Sequence, residues 1–536
     1  MFKKDNNQKE AKLNKSSNSK KSFFKRIKSN KHNFFIKFKE SWPLSKTSGK
    51  IFLIYLCVVL IGGFLLSIPG FALTSQADSK YNWDYLTGLF TASSGFSDTG
   101  LTVIDVSHSY TFWGQFILLI LIEFGGIGVL TFKIVLFLLI NKKISISDTM
   151  VAQSERGSTI TSSTIQLIKD GFIWLTIVQI FSAFILFFLF FFNEPAMSNN
   201  GVNLETVSPF HDFWRSLWFA VFHSTSAVNN AGFDIISPNS LQPYNTIDHK
   251  VYSIQIIFML EWIIGGLGYP TFHDIKRKIQ ARKTGQKVKF SLFTKLSFWV
   301  YLTLFIFGPL LVLSTEYSNY DNSLIFNNVD SNLNKTIKPF NEVFMDVLFN
   351  TTASRNAGFS TINMSNFNPS SKFILSVLMF IGSAPSSTAG GIRTTTFAIL
   401  LLSTLSIIKN RNYTSAFKKT IPEATVRRSH ATFFISTFLI FISVFTIYID
   451  SNKVFLGTND KGTISEILLL ICSAFGTVGL SPLTHHDMYK LGATTKILII
   501  LVMFIGQLGV SNTLLVFLKP ARQKALKFLD EDVTIG

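Results

Sequence analysis

Ser97-Asp98-Thr99-Gly100-Leu101, Asn229-Asn230-Ala231-Gly232-Phe233, Arg355-Asn356-Ala357-Gly358-Phe359 and Gly476-Thr477-Val478-Gly479-Leu480 are four short polar-and-glycine loops. Their glycines follow one another at 132, 126 and 121 residues. Each loop comes after an apolar segment too short to cross a bilayer, and apolar stretches of spanning length flank it. A repeat of this kind carries more architectural information than any single motif. The pattern is that of a four-fold ion pore folded from one polypeptide.

The short segment before the first loop, Tyr85-Leu86-Thr87-Gly88-Leu89-Phe90-Thr91-Ala92-Ser93, fits a re-entrant helix that enters the membrane and turns back. Residues 213–228, 343–354 and 464–475 occupy the same place before the other loops. Irregular backbone at membrane depth is tolerated only where protein buries it or where it lines a watery cavity, because lipid cannot satisfy its amides. Four such loops therefore meet most economically around one axis. A glycine without Cβ adopts positive φ readily, which lets successive carbonyls turn toward that axis, and rings of carbonyl oxygens replace the water that a potassium ion sheds.

The rest of the chain agrees. Apolar stretches recur near residues 51–68, 113–140, 171–192, 251–270, 296–313, 373–408, 431–449 and 497–518, and about 20 apolar residues cross the hydrocarbon core, so eight spans are expected. The net charge of +19 is no sign of nucleic acid, since its placement follows the membrane. Residues 1–50 hold 15 Lys/Arg against three acids, residues 276–295 hold eight basic side chains and residues 409–428 hold six, whereas 194–214 and 233–249 hold none. The positive-inside rule then places both termini and the loops between repeats in the cytoplasm. The composition of residues 1–45, rich in Lys, Ser and Asn, predicts a basic cytoplasmic tail without a core of its own, in contact with anionic lipid. No signal peptide is expected before the first span, which then serves as its own insertion signal. Cys57 and Cys472, both in apolar segments, read as small core residues. The predicted units are 1–45 tail, 46–145, 146–280, 281–410 and 411–520 as four repeats, and 521–536 as a C-terminal tail. The fold class is all-α membrane protein.

The second span of every unit carries a further small-residue element: Gly125-Gly126-Ile127-Gly128, Gly265-Gly266-Leu267-Gly268, Gly382-Ser383-Ala384-Pro385 and Gly506-Gln507-Leu508-Gly509. These let helices approach closely or leave room at the axis. In the third unit, residues 373–408 would make one helix of about 54 Å, against a hydrocarbon core of about 30 Å. The middle of this stretch, Gly382-Ser383-Ala384-Pro385-Ser386-Ser387-Thr388-Ala389-Gly390-Gly391, favours a break, and a broken helix facing a cavity is a common place for a gate.

With these elements the chain resembles the Trk/Ktr/HKT superfamily of potassium transporters, most closely the bacterial Ktr-type membrane subunit. The resemblance covers residues 51–520. It rests on Ser226-Ala227-Val228-Asn229-Asn230-Ala231-Gly232-Phe233, the third loop, Ser473-Ala474-Phe475-Gly476-Thr477-Val478-Gly479-Leu480, and Pro385-Ser386-Ser387-Thr388-Ala389-Gly390-Gly391-Ile392-Arg393-Thr394-Thr395-Thr396. The resemblance implies four membrane-pore-membrane units with one filter glycine each, an intramembrane gating loop, a homodimer, and a cytosolic nucleotide-binding ring that docks on the inner face. Carried onto this sequence, the ion-binding filter is Thr99, Gly100, Ala231, Gly232, Ala357, Gly358, Val478 and Gly479, flanked by Asp98, Asn230, Asn356 and Thr477. The gate is Gly382, Ser383, Pro385, Ser386, Ser387, Thr388, Gly390 and Gly391, with Gln507 beside it. Potassium is the implied ion and sodium the second candidate. In plant relatives a serine at the first filter glycine accompanies sodium transport, and the glycine at position 100 favours potassium.

Two positions depart from the family pattern. Asp98 stands where an uncharged residue is usual, and its carboxylate either faces the outer vestibule and concentrates cations or bonds backbone amides behind the filter. Gln507 stands where many relatives have arginine. Arg355 is expected behind its loop, on carboxylates or carbonyls, since a cation in the path would oppose conduction. Glu123 and Glu261, in second spans, either pair with Arg355 or line the pore. His223 and the pair His485-His486 lack the spacing of a metal site. A voltage-gated channel would carry Arg or Lys at every third position of a span, and a membrane enzyme would need a nucleotide loop or an H-E-x-x-H pattern; the sequence has neither.

Overall fold

A computed structural model describes residues 47–75, 77, 84–128, 131, 164–199, 202–247, 249–329, 335–456 and 463–510. The expected tails at 1–45 and 521–536, and the far ends of the spans at 113–140 and 497–518, lie outside the described residues. Residues 55–514 form one compact unit; of the other, residues 1–54 with 515–536, only the first turns of α1 at 47–54 are described.

The described chain is mostly helical, with three short two-stranded hairpins and no larger sheet among the described residues. Its longer helices are α1 (Thr47–Leu66), α2 (Tyr85–Phe96), α3 (Phe112–Ile127), α4 (Thr164–Phe192), α5 (Phe213–Val228), α6 (Tyr252–Gly265), α7 (Tyr269–Lys283), α8 (Leu292–Tyr317), α9 (Phe340–Ala353), α10 (Pro369–Phe380), α11 (Thr394–Ile408), α12 (Glu423–Leu456), α13 (Thr463–Gly476) and α14 (Ala493–Leu508). Three of them contain stretches long and apolar enough to cross a membrane: Ile165–Phe192 in α4, Leu292–Tyr317 in α8 and Glu423–Ser451 in α12. Taken as one span bent by 90°, α6 and α7 make a fourth. The other apolar stretches form helices of 10–17 residues, apart from the 20 of α1, so helix length among the described residues marks fewer spans than the eight expected.

The reason is local. α3, α6 and α14 each stop at the glycine element, where Gly128, Gly268 and Gly509 take φ of 84°, 79° and 82°, a left-handed conformation that only glycine adopts without strain. The element read from sequence as a packing device is thus also a helix terminator. In the third unit the expected break is present: α10 ends at Phe380, α11 starts at Thr394, and Ile392 N returns to Phe380 O at 3.1 Å. The helices that lead into the loops start cleanly. Asp84 caps α2 by accepting from Leu86 N, and Asp212 caps α5 by accepting from Arg215 N, each satisfying a backbone donor that the first turn leaves free.

α4 packs on α5 and α7, α10 on α13, α8 on α9, α10 and α11, and α14 on α2 and α13. The long helices turn apolar faces outward: Ile177, Ile180, Phe181 and Phe184 on α4, and Phe434, Phe438, Phe441 and Phe445 on α12, are exposed. Uninterrupted stripes of this kind suit lipid rather than water. Cys472 is buried as expected, but Cys57 lies on an exposed face of α1. Inside, Trp262 sits edge-on to Phe349 at 5.1 Å and parallel to Phe359 at 6.2 Å, and Phe258 meets Phe359 at 4.8 Å. This aromatic block wedges the third loop from behind.

Candidate functional site

Each of the four loops begins where a short helix ends. In three of them the turn is the same: Asp98, Asn230 and Thr477 take φ of 49°, 59° and 50°. The next residue closes back five positions, with Thr99 N on Ser94 O at 2.9 Å, Ala231 N on Ser226 O at 2.7 Å and Val478 N on Ser473 O at 2.8 Å. The third loop differs, since Ala357 N reaches only to Ala353 O, at 2.8 Å. The residue after each glycine, Leu101, Phe233, Phe359 or Leu480, is buried and anchors the loop into the protein.

The glycines Gly100, Gly232, Gly358 and Gly479 all have positive φ, at 89°, 68°, 79° and 99°. Their surroundings close a circle. A Cβ on Gly100 would meet Ala231 O at 2.5 Å, one on Gly232 would meet Ala357 O at 2.8 Å, one on Gly358 would overlap Val478 O, and one on Gly479 would overlap Thr99 O. Four loops separated by more than a hundred residues each thus come together in cyclic order, with the carbonyl of Thr99, Ala231, Ala357 or Val478 against the glycine of a neighbour.

On one side of the ring lies a cavity of about 430 Å³ lined by the four glycines and by Asp105, Glu205, Asp234 and His485. Burial pushes the Asp105 carboxyl up, but hydrogen bonds from His108 and Ser107 and the nearby His485 outweigh it and hold the group below the ordinary carboxylate range. Burial pushes the His485 ring down, against the pull of Asp105; its Nε2 pairs with Thr102 Oγ1 at 2.9 Å. This mouth keeps its negative charge and attracts cations. His223 is buried, with Nδ1 on Phe219 O at 2.7 Å.

On the other side, residues 382–391 press against the loops. Asn230 Nδ2 donates to Thr388 Oγ1, and Gly390 N donates to Thr477 Oγ1 at 2.7 Å. Asn356 Nδ2 reaches Asn230 Oδ1 at 2.8 Å. Gln507 Nε2 donates both to Asp98 Oδ2 at 3.2 Å and to Thr388 O at 3.1 Å. The two departures from the family pattern are therefore in contact, and Asp98 is buried away from the mouth cavity. Ala384 N on Gly266 O and Tyr269 N on Ser386 O fasten the segment to the α6–α7 bend. Ser383 lies against Gly266, Pro385 and Ser387 against Gly268, and Gly391 against Gly476 at the end of α13. Sequence reasoning gave no role to Arg393, quoted only as part of the stretch from Pro385 to Thr396, whose guanidinium holds Ala389 O and Gln507 O, nor to the mouth residues Asp105, Glu205 and Asp234, which no local motif marks.

Arg355 lies behind its loop on a carbonyl, as expected: Nη2 donates to Gly382 O at 3.1 Å, and the guanidinium stacks 4.3 Å from the Tyr301 ring. Neither Glu123 nor Glu261 is its partner. Glu123 takes Asn229 Nδ2 at 2.8 Å and Gln179 Nε2 at 3.1 Å.

The family model for TrkH, cation transport protein, matches residues 43–527. An uncharacterised cation transporter of Mycoplasma genitalium is 31% identical, covering 91% of this chain and 97% of its own length. The Ktr system potassium uptake protein D of Bacillus subtilis is 29% identical over 91% of this chain and 96% of its own. The potassium/sodium uptake protein NtpJ of Enterococcus hirae is 28% identical over 90% and 95%. The crystal structure of the potassium transporter TrkH from Vibrio parahaemolyticus superposes with a TM-score of 0.60 at 16% identity, over 89% of this chain and 86% of that one, a likeness of fold. The chain belongs to the TrkH family of cation transport proteins, a family of membrane transporters and not of enzymes.

Proposed function

We propose that the protein takes up potassium across the cell membrane through the ring of Gly100, Gly232, Gly358 and Gly479, which acts as a selectivity filter. The observation that carries this reading is the closed cyclic contact of four glycines with the carbonyls of Thr99, Ala231, Ala357 and Val478. Carbonyl dipoles at close quarters are the chemistry that replaces the hydration shell of a dehydrated alkali cation. The four loops then belong to four membrane-pore-membrane units, at 46–145, 146–280, 281–410 and 411–520, with eight crossings, some of them broken, and four re-entrant helices. Both termini are cytoplasmic in this reading, with the acidic mouth cavity outside and residues 382–391, together with Gln507, as the gate within.

The names of the relatives support the substrate. Two relatives carry potassium uptake in their names, and one of these carries sodium as well, so a sodium-permeable or non-selective pore is the alternative. By the same likeness, the partners are a second copy of the chain and a cytosolic nucleotide-binding regulatory ring. Purified protein in liposomes, loaded in turn with potassium and sodium gradients, tests the reading. Potassium flux exceeding sodium flux at equal gradients is the expected result. Equal fluxes assign the alternative, and no flux of either ion from a folded, reconstituted protein overturns both.

A further inference from the structure

Three of the four loops are latched by a hydroxyl of their own chain. Ser97 Oγ pairs with Thr99 Oγ1 at 2.7 Å, Phe233 N donates to Ser226 Oγ at 2.9 Å, and Gly479 N donates to Ser473 Oγ at 3.0 Å. Ser226 and Ser473 each stand six positions ahead of their loop glycine, and in the third loop that place belongs to Thr352. Its hydroxyl instead donates to Leu348 O and Phe349 O of its own helix, at 2.8 and 3.0 Å. Asn356 also stays out of the left-handed region that Asp98, Asn230 and Thr477 adopt, so the third loop lacks both local devices.

It is held from outside. Just past its glycine, Leu241 N donates to Ser360 O at 3.0 Å and Ser360 N donates to Ser240 Oγ at 3.3 Å. Asn350 of α9 grips the next residue twice, taking Thr361 N on Oδ1 at 3.3 Å and giving Nδ2 to Thr361 Oγ1 at 2.9 Å. Asn245, which like Ser240 and Leu241 comes from the chain between α5 and α6, closes the clamp. Its Nδ2 donates to Asp346 Oδ1 of α9 at 2.7 Å and to Thr361 O at 3.4 Å, and its Oδ1 accepts from Gln255 Nε2 of α6 at 3.1 Å. The Lys250–Glu342 ion pair crosses the same seam. Asn245, Asp346, Asn350 and Thr361 are all buried, where a polar group that loses its partner is costly. We propose that Asn245 and Asn350 are positioning residues for the third loop, and that the preference of the ring for one alkali cation over another depends on the clamp they form. This rests on the reading of the ring as a filter. The third loop meets both neighbours, since a Cβ on Gly232 would lie 2.8 Å from Ala357 O and one on Gly358 would overlap Val478 O, so a shift there moves carbonyls on either side.

Potassium and sodium fluxes of the full chain in liposomes, with the melting temperature of each variant in either salt, test it. Asn245→Ala is expected to lower the potassium to sodium flux ratio about fivefold and Ser240→Ala about twofold, the scale of one hydrogen bond. Asn319→Ala, which removes an exposed amide bond to Asn368 at 3.3 Å outside the clamp, is expected to leave the ratio unchanged. Asn245→Ala is also expected to need more potassium than wild type for half-maximal protection against melting, whereas a merely structural residue lowers the melting temperature alike at every ion concentration. A folded Asn245→Ala protein with the wild-type ratio and wild-type potassium protection overturns the proposal, as does a ratio that falls equally in Asn319→Ala. If Asn245→Ala does not fold, Ser240→Ala decides, and an unchanged ratio there overturns it. A wild type that does not distinguish the two ions removes the filter reading and the clamp's role with it; a selective wild type with unaffected clamp variants removes the clamp alone.

Discussion

Gly100→Ser is expected to lower the ratio of potassium to sodium flux by about tenfold, the equivalent of about 1.4 kcal/mol of lost discrimination. The position has φ of 89°, which a side chain resists, and a Cβ there would sit 2.5 Å from Ala231 O and 3.0 Å from Gly232 Cα. Backbone cannot give way at that contact without moving the second loop, so the damage passes from one carbonyl to its neighbour around the ring. A serine at Ile61, on the outward face of α1 and 61% exposed, serves as control and is expected to leave the ratio unchanged. Paired flux measurements in liposomes decide it. An unaltered ratio in a folded Gly100→Ser protein removes this residue from the filter.

Deleting residues 383–389 is expected to raise potassium flux by on the order of ten- to a hundredfold and to make it less dependent on any cytosolic regulator. The deletion is geometrically mild. The ends of the segment already touch, since a Cβ on Gly382 would overlap Gly390 O and one on Gly391 would lie 3.2 Å from Gly382 Cα. What the deletion removes is the set of bonds that hold the segment against the loops and the helix ends beneath them, from Asn230 and Gln507 to Thr388 and from Thr388 to Val228 O. At about 1 kcal/mol each these amount to a preference of about a hundredfold for the seated position. The potassium to sodium ratio, measured in the same variant, separates an open gate from a ruined pore. A folded, selective deletion protein with unchanged flux and unchanged regulator response makes residues 382–391 a kink and not a gate.

The legible part of the molecule was the part written in local chemistry. Loop glycines at regular spacing, half-length helices before them and small residues in the helices after them are read directly, because positive φ, helix length and helix breaking are properties of short stretches. The break at 382–391 was legible for the same reason. The glycine elements were only half read: their packing role was visible, but their role as helix ends was not, because Gly128, Gly268 and Gly509 differ from other membrane-helix glycines only in a backbone angle.

By itself, then, the sequence determined the class, an all-α membrane protein, its four loops and the family to which it belongs. Hydropathy, charge placement and glycine spacing are additive along the chain and need no partner to be read. Only the tertiary structure decided who meets whom. Asp98 joins Gln507 across 409 positions, Arg355 takes Gly382 O rather than a carboxylate, and among the described residues Glu123 and Glu261, alike in sequence, receive two donors and none. Hydrogen bonds are short-ranged and directional, so the state of a buried polar group is set by the few atoms that packing brings within about 3 Å, and those atoms come from distant parts of the chain.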